Sequence, residues 1–166
     1  MLTPKDLAIY ILTEDISHRY ANEVINDIFE NHSEMIVPDC RDSYIRFKKS
    51  ISELLNIYEL DNIEYREAEL IMCEINNVSM YREEDSDKLT SYFKLIKLQL
   101  MYSDIGYRKI KLRNLLKMFG YRRRSSALVN RMESTLNALG LKTYLKKRIP
   151  CNISTVKLND IIIIRQ

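Results

Sequence analysis

The sequence predicts a mainly α protein in two parts. An acidic N-terminal helical bundle spans residues 1–105, and a basic α+β domain spans residues 106–166. Three observations carry that prediction. The first is charge. Residues 1–105 hold 11 Lys/Arg and 21 Asp/Glu, a net −10, whereas residues 106–166 hold 15 Lys/Arg and only 2 Asp/Glu, a net +13. The chain total of +3 conceals that opposition. The second is periodicity. Apolar residues recur every three or four positions through the acidic part, with no alternating strand before residue 105. The third is glycine, since Gly106, Gly120 and Gly140 all fall in the basic part. A hydrophobic content of 46% is enough for a packed core and excludes a wholly disordered chain. With 3 Gly and 3 Pro, the chain is neither collagen-like nor a turn-dense β protein. No apolar run approaches the roughly 18 to 20 residues of a membrane span, so no membrane partner is expected.

In the acidic part, Thr3-Pro4-Lys5-Asp6 reads as a helix start, with Thr as cap, Pro in the first turn and an acid facing the helix dipole. Leu7, Ile11 and Leu12 supply its apolar face. A second helix follows from near Ser17 to Glu30, with Tyr20, Val24, Ile25 and Ile28 at helical spacing. Residues 31–40 read as a loop around Pro38. A third helix begins near Asp39 or Asp42, and Tyr44, Phe47, Ile51, Leu54, Leu55 and Tyr58 form its stripe. A fourth opens at Asp61 or Asn62 and carries Leu70, Ile71, Glu74 and Ile75. After a polar break over residues 82–87, a fifth carries Leu89, Phe93, Ile96 and Leu100.

Nothing in the acidic part spells out catalysis. Glu64, Glu67 and Glu69, and then Glu83, Glu84, Asp85 and Asp87, read as solvated faces and helix-start acids, or as an acidic face that docks a basic partner. His18 and His32 lie beside no nucleophile or metal-ligand pattern. Cys40, Cys73 and Cys151 are widely spaced, which argues against a disulfide framework or a zinc site and for thiols in a reducing cytosol. The N-terminus lacks the charge and cleavage pattern of a signal peptide, so a cytoplasmic location is expected. No enzyme, cofactor or metal site is expected.

The basic part has a legible order. Ile110, Lys111 and Leu112 alternate as a short first strand. Leu112, Leu115, Leu116 and Phe119 have helical spacing, and Gly120 stands where a left-handed C-cap belongs. Ser125 or Ser126 caps a second helix with Leu128 or Val129, Met132, Leu136 and Leu139, ended by Gly140. Residues 141–145 alternate as a strand, residues 146–150 form a basic turn, and residues 156–164 form the final strand. Ile161 to Ile164 read as a central strand buried on both faces, or else as a dimerising edge strand. Strand, helix, turn, helix, strand, turn, strand is the order of a winged helix-turn-helix, with the second helix placed for recognition.

Charge falls where that docking mode needs it. Arg122, Arg123 and Arg124 sit at the turn and start of the recognition helix, and Arg131 lies along it. Lys146, Lys147 and Arg148 sit at the wing tip, and Lys111 and Arg113 flank the first helix. Ser125 and Ser126, with free backbone N–H groups, can donate to phosphate. Double-stranded DNA is the partner these groups suit, through phosphate neutralisation and counterion release. The open alternative is a winged helix used for protein contact, with the arginines against an acidic partner.

The pattern Leu112-Arg113-x-Leu115-Leu116-x-x-Phe119-Gly120-x-x-Arg123-Arg124, with Val129, and then Leu136-x-x-x-Gly140-Leu141-x-Thr143, resembles a small module appended to bacterial restriction-associated and CBS-domain proteins. The resemblance covers about residues 108–166. Where those modules have D-x-P-I before the last strand, this chain has Asn159-Asp160-Ile161-Ile162, without the proline. The resemblance implies a role in prokaryotic DNA metabolism or anti-phage defence. The expectation is a non-catalytic DNA-binding accessory or regulatory subunit whose acidic bundle docks a larger ATPase or nuclease. Two alternatives stand beside it. The winged helix clamps an SMC-type or helicase ATPase or a nuclease, or the acidic part masks the basic part of the same chain.

Overall fold

The structure is a computed structural model that describes residues 1–60 and 84–166. Among the described residues it is mainly helical, with one small antiparallel sheet of three strands. The expected fourth helix with its glutamates Glu64, Glu67 and Glu69, the acid Glu83, and Cys73 lie outside the described residues. The chain divides into two compact units, Met1–Leu70 and Ile71–Gln166.

In the first unit, helix α1 spans Pro4–Thr13, α2 spans His18–Asn31 and α3 spans Tyr44–Leu60. Thr3 and Asp6 form a reciprocal capping box. Thr3 donates its backbone N–H to Asp6 Oδ2 at 2.8 Å, and Asp6 donates its own to Thr3 Oγ1 at 3.2 Å. Ser17 caps α2. Helix α1 is buried on most of its circumference, with Leu7, Ala8, Ile9, Tyr10 and Ile11 inside. Helix α3 packs against it with Phe47 and Ile51 buried, and Val24, Ile25 and Ile28 of α2 are buried as well. The loop after α2 holds two 3-10 turns and seals one edge. Leu2 bridges Ile36 in parallel, and Arg41 donates to the carbonyls of Ile36 and Glu34, both at 2.7 Å. Three expected core positions move outward. Tyr20 is exposed, with Ala21 inside in its place, and Leu54 and Leu55 are only half-buried.

In the second unit, helix α4 spans Glu84–Tyr102, strand β1 Arg108–Lys111, helix α5 Leu112–Met118, helix α6 Ser126–Ala138, strand β2 Lys142–Tyr144 and strand β3 Ile161–Arg165. The sheet order is β1-β3-β2, antiparallel throughout. One core joins the three helices and β3. Leu89, Phe93, Ile96 and Leu100 of α4 pack with Leu112, Leu115 and Leu116 of α5, Leu128, Val129, Met132 and Leu136 of α6, and Ile162 and Ile164 of β3. Tyr92 lies edge-on to Phe119 at 5.6 Å, and burial pushes its phenol pKa up to about 12.

The boundary expected near residue 106 therefore moves. The sign of surface charge changes there, but the apolar stripe of α4 belongs to the core of the basic unit. Charge reports what faces water, whereas unit membership follows what is buried. The opposition survives the correction. By sequence, the first unit holds 7 basic and 15 acidic residues and the second holds 19 and 8, which leaves −8 against +11.

Two local expectations are also corrected. The last strand begins at Ile161 rather than at Val156, because residues 152–160 are spent on turns. Val156 N–H bonds to the Asn152 carbonyl, Asp160 N–H to the Lys157 carbonyl, and Lys157 N–H to Asp160 Oδ2 at 3.0 Å. The strand is central, as expected, but only one of its faces is buried. Ile162 and Ile164 are 1% exposed, whereas Ile161 is 38% exposed.

Candidate nucleic-acid interface

Helix α6 stands between two glycine turns. At the end of α5, Gly120 adopts φ +73° and the Tyr121 N–H reaches the Leu116 carbonyl, which turns the chain sharply. Residues 121–125 then lead to Ser125, whose hydroxyl accepts the Leu128 N–H at 3.3 Å and caps α6. At the far end, Gly140 adopts φ +65° and the Leu141 N–H reaches the Leu136 carbonyl. Both ends of α6 are thus fixed by local hydrogen bonds, and its register relative to the core is set by Leu128, Val129, Met132 and Leu136.

The arginine triplet is not a uniform cluster. Arg122 and Arg123 are exposed and make no hydrogen bond or ion pair among the described residues, whereas Arg124 donates to the carbonyls of Ile153 at 2.8 Å and Val156 at 2.6 Å. Arg124 therefore pins the start of α6 to the 152–156 turn. Glu133 makes a second tie, as its carboxylate accepts the Ser154 N–H at 3.2 Å. Ser125 is engaged as a cap, and Ser126 is exposed at the first turn of the helix.

Arg131 lies on an exposed face of α6 together with Ala127, Asn130, Ser134 and Asn137. This face has small, hydroxyl, amide and guanidinium groups and no carboxylate. Sequence reasoning missed Asn130, Ser134 and Asn137. The complement of the apolar stripe at the same helical spacing would have found them.

Lys146, Lys147 and Arg148 occupy the tip of a small hairpin that folds back from β2. Cys151 N–H bonds to the Thr143 carbonyl at 3.0 Å and Leu145 N–H to the Ile149 carbonyl at 2.8 Å. The tip is a 3-10 turn in which Lys147 and Arg148 take φ +62° and +59°. Left-handed backbone costs a residue with a Cβ roughly 1 to 2 kcal/mol. The turn thus keeps two long cations where glycine would be easier. Lys111 and Arg113 lie at the junction of β1 and α5, and the strand register puts Lys111, opposite Ile161, at the end of the sheet toward which β2 runs into the tip. There the free N–H groups of Leu112 and Arg113 are taken by the carbonyls of Asp160 and Leu158.

Both carboxylates of residues 106–166 are turned to backbone N–H groups, Glu133 to Ser154 and Asp160 to Lys157. Ion pairs of the first unit include Arg19–Glu23 at 3.4 Å and Lys49–Glu53 at 3.7 Å, whereas no cation of residues 106–166 pairs with a carboxylate among the described residues. Burial raises the pKa of the Cys151 thiol, only partly opposed by the Thr143 hydroxyl, so it is held as a thiol at neutral pH. Among the described residues, no cluster of His, Cys, Asp and Glu could hold a metal ion, and no helix is long and apolar enough to cross a membrane.

No family model, no curated protein and no solved structure matches the chain. Its function is argued from the site itself.

Proposed function

We propose that the second unit is a winged helix-turn-helix that binds double-stranded DNA. Helix α6 enters the major groove and the 146–148 tip rests on the phosphate backbone. The chain is then a non-catalytic accessory or regulatory subunit in prokaryotic DNA metabolism or anti-phage defence, in line with the module that residues 108–166 resemble. The element order supports this reading. Helix α4 comes first, then β1, α5, α6 and the β2–β3 pair, with β3 between the other two strands.

The observation that carries the reading is the exposed charge around α6. Arg122, Arg123 and Arg131 stand exposed with no partner among the described residues, and the nearest carboxylate on the helix, Glu133, is tied to backbone. Free N–H groups at the helix start and the Ser126 hydroxyl add donors for phosphate. Asn130, Arg131 and Ser134 are residue types that read base edges. The acidic first unit is proposed as the docking surface for a larger ATPase or nuclease.

Fluorescence anisotropy on a random-sequence duplex across a salt series tests the reading. Binding at low salt with a steep salt dependence is expected, as each phosphate contact contributes about 0.9 to the log–log slope. Changing Arg122 and Arg123 to Glu should lower affinity by at least about a hundredfold at low salt. Absence of binding at low salt, or no loss in that variant, refutes it. A second reading is favoured by Ile149, 56% exposed beside the basic tip. On that reading the wing clamps a protein such as an SMC-type or helicase ATPase. Copurification with such a partner, with no duplex binding at low salt, would select it.

A further inference from the structure

The three-stranded sheet has a second face. Register places its residues in rows. Lys109, Ile163 and Tyr144 form one row, Lys111 and Ile161 another, and Arg165 and Lys142 a third. Directly paired residues share a face. The opposite face carries Ile162 and Ile164 into the core. The outer face is therefore made of four cations, two half-exposed isoleucines and a tyrosine, with no carboxylate.

A second tyrosine is fixed to it. The Tyr107 ring lies under the Lys109 ammonium, 4.9 Å from its centroid, and the Arg165 guanidinium, 5.3 Å from it. These contacts put Tyr107 on the same face, where it is 37% exposed. Lys109 and Lys111 stand two residues apart, about 7 Å along the strand. Cations line two sides of the face, with rings and isoleucine side chains between them.

We propose that this outer sheet face is a second binding surface, and that its occupant is single-stranded nucleic acid. A polyanionic strand supplies phosphates to Lys109, Lys111, Lys142 and Arg165, and its bases stack on Tyr144 and Tyr107 or pack over Ile161 and Ile163. That combination of a cationic track with aromatic side chains is how sequence-tolerant single-strand sites work. A protein occupant fits less well, because the centres of protein interfaces are depleted in lysine, and here lysine stands in every row. The inference does not depend on duplex binding by α6. If both hold, the unit grips a strand and a duplex on different faces.

The chain has no tryptophan, so Tyr144→Trp would install a single reporter on this face. Titration of that full-length variant with oligo(dT) should quench its emission, and a blunt duplex should not. In anisotropy, Lys109→Glu with Lys142→Glu should weaken oligo(dT) binding at least about tenfold and leave duplex binding near wild type. Arg122→Glu with Arg123→Glu should do the opposite. Unchanged emission at saturating oligo(dT) overturns the inference. So does oligo(dT) binding that falls only with Arg122 and Arg123, which would place the strand on α6. Loss of duplex binding alone in the wild type would refute the α6 reading and leave this one standing.

Discussion

The two units of this chain use charge in opposite ways. In the first, cations are consumed locally. Arg19 and Lys49 pair with glutamates one helical turn away, and Arg41 staples a loop through two carbonyls. In residues 106–166 of the second, the two carboxylates are consumed instead, as Glu133 and Asp160 both turn to backbone N–H groups. Arg122, Arg123, Arg131 and the 146–148 tip are left facing water. Net charge alone would not separate these cases. A cation engaged by its own chain is part of the fold, and a cation left free on a surface without acids is available to a partner.

The comparison can first be broken at its boundary. If α4 belongs to the basic unit, Phe93→Ala should act on that unit, because Phe93 is fully buried in its core. Truncation there should cost about 3 to 5 kcal/mol in urea denaturation and reduce duplex binding through loss of folded protein. A stability change that leaves the basic unit folded would return α4 to the acidic part.

Next in size is the split within the arginine triplet. Arg124→Ala leaves the Ile153 and Val156 carbonyls without their charged donor. A loss of about 1 to 2 kcal/mol is expected, with the slope of affinity against salt unchanged. A fall in that slope by about one would mean that Arg124 also meets phosphate.

The smallest effect is at the tip. Lys147→Gly relieves a left-handed backbone and should raise stability by up to about 1 kcal/mol. It should also remove one cation, which lowers the salt slope by about one. Opposite signs for stability and affinity would mark the strain as serving binding.

Much of this architecture was legible in the chain. The caps Thr3, Ser17 and Ser125, and the helix-ending Gly120 and Gly140, carry local signals that need no tertiary context. The order of elements after residue 107 followed from them. What was not legible depended on contacts distant in sequence. The stripe of α4 names no partner, so its place in the basic unit was hidden behind the charge change at Gly106. Val156 alternates like a strand residue, yet Asn152 and Asp160 draw its neighbours into turns. Arg124 looks like Arg122 and Arg123 in sequence. Only the carbonyls of Ile153 and Val156, about thirty positions on, set it apart.

The central claim is that free cations, and not net charge, make the interface. The most direct test neutralises two cations in each unit and compares salt slopes on the same duplex. Arg122→Gln with Arg123→Gln should lower the slope by about two, and Arg19→Gln with Lys49→Gln should leave it unchanged. Equal falls in the two variants, or no fall in either, would contradict the account.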